Sequence, residues 1–177
     1  MNTSAILITL SGPDKPGMVS ALSEVVASHD GNWLESRMAN LGGQFAGILR
    51  VEVIESRQEA LLAALQALDS SALQVSLKAV EDGAVPPAGR ELELELLGQD
   101  HPGIVRDISR VLSEAGVSVQ AFDSWLEDAS MAGGVLFHAN ALLSLPEGLT
   151  TEQLHERMQT LSDSLMVDIH LIEPEDG

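Results

Sequence analysis

Leu92, Leu94 and Leu96 alternate with Glu91, Glu93 and Glu95. That strict two-residue period predicts a strand with one buried face and one wet face. Val75, Leu77 and Ala79 alternate with Gln74, Ser76 and Lys78 in the same way, and Val167, Ile169 and Leu171 repeat the pattern near the end of the chain. Elsewhere the period lengthens to that of a helix. Met18, Val19, Leu22, Val25 and Val26 form an apolar stripe that predicts a helix reaching about Ser28, with Pro16 suited to its first turn. Leu61, Leu62, Leu65 and Leu68 predict a second helix behind Ser56-Arg57-Gln58-Glu59, which has capping-box spacing. Residues 5–11 read as a strand, and 32–41 and 44–54 as two more around the hairpin signal Gly42-Gly43. The first half therefore reads strand, helix, strand, strand, helix, strand.

The second half repeats it. Gly12-Pro13-Asp14-Lys15-Pro16-Gly17 returns as Gly98-Gln99-Asp100-His101-Pro102-Gly103, each glycine 86 positions further on. The stripe returns at the same offset as Ile104, Val105, Ile108, Val111 and Leu112. A helix is expected from about Pro102, then strands near 117–127 and 134–144 around a longer loop at Asp128–Gly133. Thr150-Thr151-Glu152-Gln153 again fits a capping box, before Leu154, Met158, Leu161 and Leu165. The repeat predicts two domains, 1–82 and 90–177, joined by a linker at 83–89 that Pro86-Pro87 would keep extended. The expected fold is α+β: two ferredoxin-like βαββαβ domains, each an antiparallel sheet with two helices on one face. Open sheet edges invite pairing with another domain, and a homodimer is the expected assembly.

Charge narrows the function. Nine Lys and Arg stand singly against 27 Asp and Glu, for a net charge of −18. A duplex-binding surface needs clustered cations to displace counterions, so direct nucleic-acid binding is not expected. With two tryptophans and no tyrosine, a base-stacking surface is not expected either. The chain has no cysteine, hence no disulfide and no thiolate metal site. Residues 1–5 lack the pattern of a signal peptide, and no apolar run approaches the length of a membrane span. A soluble, cytoplasmic protein without membrane contact is expected.

Catalytic and cofactor motifs do not emerge. The five histidines show no metal-ligand spacing, no serine sits in a nucleophile elbow, and neither a phosphate loop nor a dinucleotide fingerprint is present. Asp168 and His170 share a strand face, but on its polar phase, and read as a solvated pair near Glu93 and Glu95. No catalytic residue, metal or cofactor is expected, and the chain does not read as an enzyme. The repeated loop is the stronger candidate. Asp14, Lys15, Pro16, Gly17 and Met18 lead into a helix N-terminus, where free N–H groups and the helix dipole favour an anion such as a carboxylate. Asp100, His101 and Gly103 repeat the arrangement, with His101 in place of Lys15. The same residues can equally form a turn with an Asp near the cap position. Asn32, at the start of the second strand, is expected on the side of the loop, ready for a ligand's polar atoms, with Ser118 as its counterpart.

The Asp-x-Pro-Gly loop leading into an apolar helix, present in both halves, resembles a tandem pair of ACT domains, small regulatory modules that bind amino acids. Asn32-Trp33-Leu34-Glu35-Ser36-Arg37 and Ala39-Asn40-Leu41-Gly42-Gly43-Gln44-Phe45 are similar to a stretch of glycine cleavage system transcriptional repressors. Asp30 stands where that family usually has Gly, and Phe122-Asp123 replaces Ser-Arg in the second half. The resemblance implies a regulator that binds a small amino acid, glycine in that family. It would act on a DNA-binding transcriptional activator through protein contact. The alternative is a free-standing regulatory subunit of an amino-acid metabolic enzyme.

Overall fold

In the computed structural model, which describes residues 2–68, 73–80, 89–129 and 133–174, the chain divides between Val85 and Pro86 into two units. The first runs β1 (Thr3–Pro13), α1 (Met18–Ser28), β2 (Asn32–Leu41), β3 (Gln44–Ile54), α2 (Glu55–Leu68) and β4 (Gln74–Ala79). The second runs β5 (Arg90–Gln99), α3 (Ile104–Glu114), β6 (Ser118–Asp128), β7 (Val135–Leu145), α4 (Thr151–Leu165) and β8 (Val167–Ile172). Each unit folds its strands into one antiparallel sheet, ordered β2-β3-β1-β4 and β6-β7-β5-β8. Residues 83–88 of the expected linker and 130–132 of the longer hairpin loop lie outside the described residues.

Alternation places the cores. Ile6, Ile8 and Leu10 of β1 pack with Leu49, Val51 and Val53 of β3 under Leu22, Val26, Leu61 and Leu65 from the two helices. In the second unit Leu92, Leu94 and Leu96 are likewise buried, together with Leu143, Ile108 and Met158. Burying one such side chain stabilises by about 1.5–3 kcal/mol, and the intervening positions keep the other sheet face wet. Glu93 and Glu95 are exposed there, while Leu7 is half-buried.

Turns follow the residues that permit them. Gly42 and Gly43 both have positive φ, 58° and 77°, as a two-residue hairpin of type I′ requires. Thr150 forms the expected capping box: its Oγ1 accepts from Gln153 N–H at 3.2 Å, and Gln153 Oε1 accepts from Thr150 N–H at 3.0 Å. The other expected capping box does not form. Strand β3 runs straight into α2 at Glu55, so Ser56 is already inside the helix. Glu55 N–H donates to Asn2 O at 3.1 Å instead, and Ser4 Oγ donates to Gln58 Oε1 at 3.0 Å. Strand β1 also runs past its expected end at residue 11, pairing Gly12 with Phe45 and Pro13 with Gln44. Gly98 lies within β5, where a Cβ would stand 2.3 Å from Val167 Cγ1, so this glycine serves close strand packing.

Among the described residues no helix is long and apolar enough to cross a membrane.

Candidate functional site

The loop from β1 to α1 is tied to the β2–β3 hairpin. Asp14 N–H donates to Gly43 O at 2.9 Å, and Asn40 Nδ2 donates to Asp14 Oδ2 at 2.5 Å. The Asp14 carboxylate is thereby held at the hairpin and does not cap the helix. Gly17 occupies the N-cap with φ 92°, in the left-handed region, and offers no side chain to the helix start. Its carbonyl accepts from Ala21 N–H at 2.9 Å. The first-turn amides that follow, from Met18 onward, therefore have no side-chain acceptor, and the positive end of the dipole is left open. A Cβ at Gly17 would meet nothing within 4 Å, so backbone conformation alone requires glycine here. Lys15 and Pro16 are exposed, and Met18 is half-buried.

Asn32 does not belong to this group. It pairs with Glu52, which pairs in turn with Ala5 near the start of β1, whereas the loop follows Pro13 at the other end of that strand. Eight residues of strand separate the two rows, roughly 26 Å at about 3.3 Å per residue. Helix α1 carries the chain back along the whole sheet, so β2 starts at the far end and only its last residues return to the loop. Ser118 pairs with Ser144, opposite Glu91, and is separated from Asp100–Gly103 for the same reason. The polar side chain that does reach the first loop is Asn40. The hairpin at Gly42-Gly43 sets Asn40 opposite Phe45, itself opposite Gly12, so strand register held the signal.

The second loop keeps the backbone and changes the chemistry. Asp100 N–H donates to Val135 O at 2.8 Å, and Gly103 repeats the left-handed N-cap at φ 98°. Here, however, the Arg106 guanidinium lies over the glycine, 2.9 Å from where a Cβ would stand. Arg106 Nε donates to Asp107 Oδ1 at 2.9 Å, with Arg110 3.8 Å from the same oxygen. The hydrogen bond from Arg106, aided by the charges of Arg106, Arg110 and His101, holds the Asp107 carboxyl below its ordinary pKa. An anionic side chain thus already sits in the first turn of α3. At the position equivalent to Asn40 stands Leu126.

Asp168 and His170 are both exposed, with His170 opposite Glu95 in the β5–β8 register, as a solvated pair would be. No group of three or more potential metal ligands occurs among the described residues.

Residues 4–78 match the family model of the ACT domain. That span runs from β1 into β4 of the first unit, so the loop described above lies within the part of the chain that is similar to the ACT domain. An unknown protein from Galdieria sulphuraria has a similar structure, with TM-score 0.83 and 29% identity over 98% of this chain and 99% of that one. A protein provisionally assigned as a glycine cleavage system transcriptional repressor aligns with TM-score 0.72 and 19% identity, over 97% of each chain. At that identity the likeness carries the fold alone. Among curated proteins no sequence matches. The expected ACT resemblance and the two ferredoxin-like units are borne out.

Proposed function

We propose that this protein is an amino-acid-responsive regulator that acts through a protein partner, the role implied by its resemblance to glycine cleavage system repressors, and not by catalysis or DNA contact. One observation carries the reading. A helix N-terminus behind a left-handed glycine has no side-chain cap, and Asn40 holds the Asp14 carboxylate away from it, within the part of the chain similar to the ACT domain. A ligand carboxylate would accept from the amides beginning at Met18, and Asn40 or a loop carbonyl would meet its ammonium through an oxygen. The Arg106–Asp107 pair gives the second loop an internal substitute for the anion, so the first loop is the working site. Ligand binding would shift an equilibrium between partner-binding and free forms.

Calorimetry with the twenty amino acids tests this. A small amino acid, glycine foremost, is expected to bind and to raise the melting temperature at millimolar concentration. Asn40→Ala should weaken binding, whereas Asn32→Ala should bind as the wild type does. No amino acid binding at all would remove the ligand reading. Purification of tagged protein tests the partner: a co-eluting DNA-binding activator supports repression, and a co-eluting biosynthetic enzyme assigns the regulatory-subunit role instead.

A further inference from the structure

Each sheet carries a shallow cavity at the same place on the face away from its helices. Residues paired across neighbouring strands project to the same side. In the first unit Leu7 pairs with Arg50 and Arg50 with Glu35, while Ile48 in the next row pairs with Arg37. These five residues, with Ser36, line a cavity of about 190 Å³. In the second unit Glu93, Leu142, Ala121, Asn140 and Asp123 hold the same register positions and line a cavity of about 280 Å³. A β-bulge adjoins each one, between Trp33 and Glu35 and between Val119 and Ala121. Such a bulge bends its strand and re-aims the neighbouring side chains, so the hollow belongs to the fold. The residues inside it do not. Arg37, Arg50 and Glu35 stand where the second unit has Asp123, Leu142 and Ala121.

The first cavity combines both signs of charge with an apolar floor. Two guanidiniums and one carboxylate line it beside Leu7 and Ile48. None of the three charged groups makes an ion pair among the described residues, although Glu35 stands directly opposite Arg50. The Arg50 Nε is shut off from solvent with no hydrogen-bond acceptor, which leaves the terminal nitrogens as its free donors. Elsewhere on this face Glu52 accepts from Thr3 Oγ1 at 3.1 Å, and Lys78 lies on the far side of Leu7. With Glu35 and Glu52 set against Arg37, Arg50 and Lys78, the face as a whole is close to neutral. A general attraction for anions is therefore not what the cavity supplies.

We propose that this cavity binds a small zwitterion, a carboxylate and an ammonium on one apolar body, at a site separate from the loop at Asp14–Gly17. The carboxylate would accept from Arg37 and Arg50, whose planar forks suit it. The ammonium would donate to Glu35, and the apolar body would cover Leu7 and Ile48. Directly opposite residues have Cβ atoms about 4.5–5.5 Å apart, so Arg50 and Glu35 can meet two groups carried on one small molecule. A plain anion would leave Glu35 unpaired beside it, and a plain cation would leave two guanidiniums unpaired. The second cavity is lined by Glu93, Glu95 and Asp123 with no cation, so it offers a carboxylate nothing.

Calorimetry on the full chain tests the proposal with leucine as the probe. Three relatives each lack one feature: isocaproate the ammonium, isoamylamine the carboxylate, and glycine the apolar body. Leucine is expected to bind at about millimolar concentration, and isocaproate and isoamylamine at least about tenfold more weakly. R37M/R50M should weaken leucine binding at least about tenfold, with circular dichroism confirming the fold, whereas E93Q/E95Q should leave it unchanged. E35Q should weaken leucine and strengthen isocaproate, closing the gap between them, a reversal that a merely structural role would not produce. If R37M/R50M does not fold, R37M on the edge strand β2 is read in the same way. Leucine binding that N40A removes and R37M/R50M leaves intact would place the ligand at the loop, overturning this proposal while sustaining the loop reading. No leucine binding, or isocaproate binding as tightly as leucine, would overturn it as well.

Discussion

Asp30 holds the left-handed conformation, φ 53°, at the end of α1. Its counterpart 86 positions on is Gly116, φ 71°, and both end their helices in the same way. Asp30 N–H donates to Ala27 O at 3.1 Å and Gly31 N–H to Val26 O at 2.9 Å, while Gly116 N–H donates to Ser113 O at 3.0 Å and Val117 N–H to Leu112 O at 2.9 Å. The glycine usual in the resembling family is therefore a backbone requirement, and Asp is among the few residues that tolerate it. Asp30→Val should cost about 1–2 kcal/mol in urea unfolding, since a β-branched side chain is poorly placed there. Asp30→Gly should change stability by less than about 1 kcal/mol, because the exposed Arg57 pair it removes contributes little. Equal costs for both would refute the backbone account. Asp107 offers a second check. Its carboxyl is held low, so its interaction stabilises the fold above the unfolded-state pKa and is lost as pH falls through the folded one. Arg106→Ala should move the NMR titration of Asp107 up toward the ordinary value. No movement would remove Arg106 as the main cause.

Two helix starts that read alike in sequence differ in the structure. Thr150→Ala deletes a formed capping box and should cost about 1 kcal/mol of stability in the second unit. Ser56→Ala touches no cap and should be neutral within about 0.5 kcal/mol in the same urea unfolding experiment. The distinction was illegible because spacing alone does not say whether a strand enters its helix directly, as β3 enters α2. Strands β4, β5 and β8 were legible from their strict alternation, and Gly42-Gly43 marks the β2–β3 hairpin and fixes its register. A bulge recurs in both units, between Trp33 and Glu35 and between Val119 and Ala121, at the same 86-residue offset. Neither Leu34 nor Gln120 announces it, since a bulge of this kind needs no special residue. The misplacement of Asn32 has a related cause. Sequence names the loop and the strand, but which end of β2 meets the loop depends on α1 spanning the sheet. Once the hairpin is drawn, Asn40 follows.

At the scale of the whole molecule, charge limits what the protein can touch. A patch that neutralises Z phosphates gives a binding constant that falls with salt at a slope of about −0.9Z, so Arg50 and Lys78 beside Leu7, with Arg37 beside Ile48, would give roughly −3. Proteins that hold duplexes at physiological salt commonly make twice that number of contacts or more, without a surrounding field of the wrong sign. Here the field is set by a net charge of −18, most of it on the second unit. A gel shift with purified protein and duplex DNA at about 0.15 M salt should therefore show no complex at micromolar protein, with or without added amino acid. Lowering the salt should produce at most a weak, sequence-independent smear that R37E/R50E abolishes. A discrete complex at 0.15 M salt would mean that the protein reads DNA itself, and would replace partner-mediated regulation with direct contact.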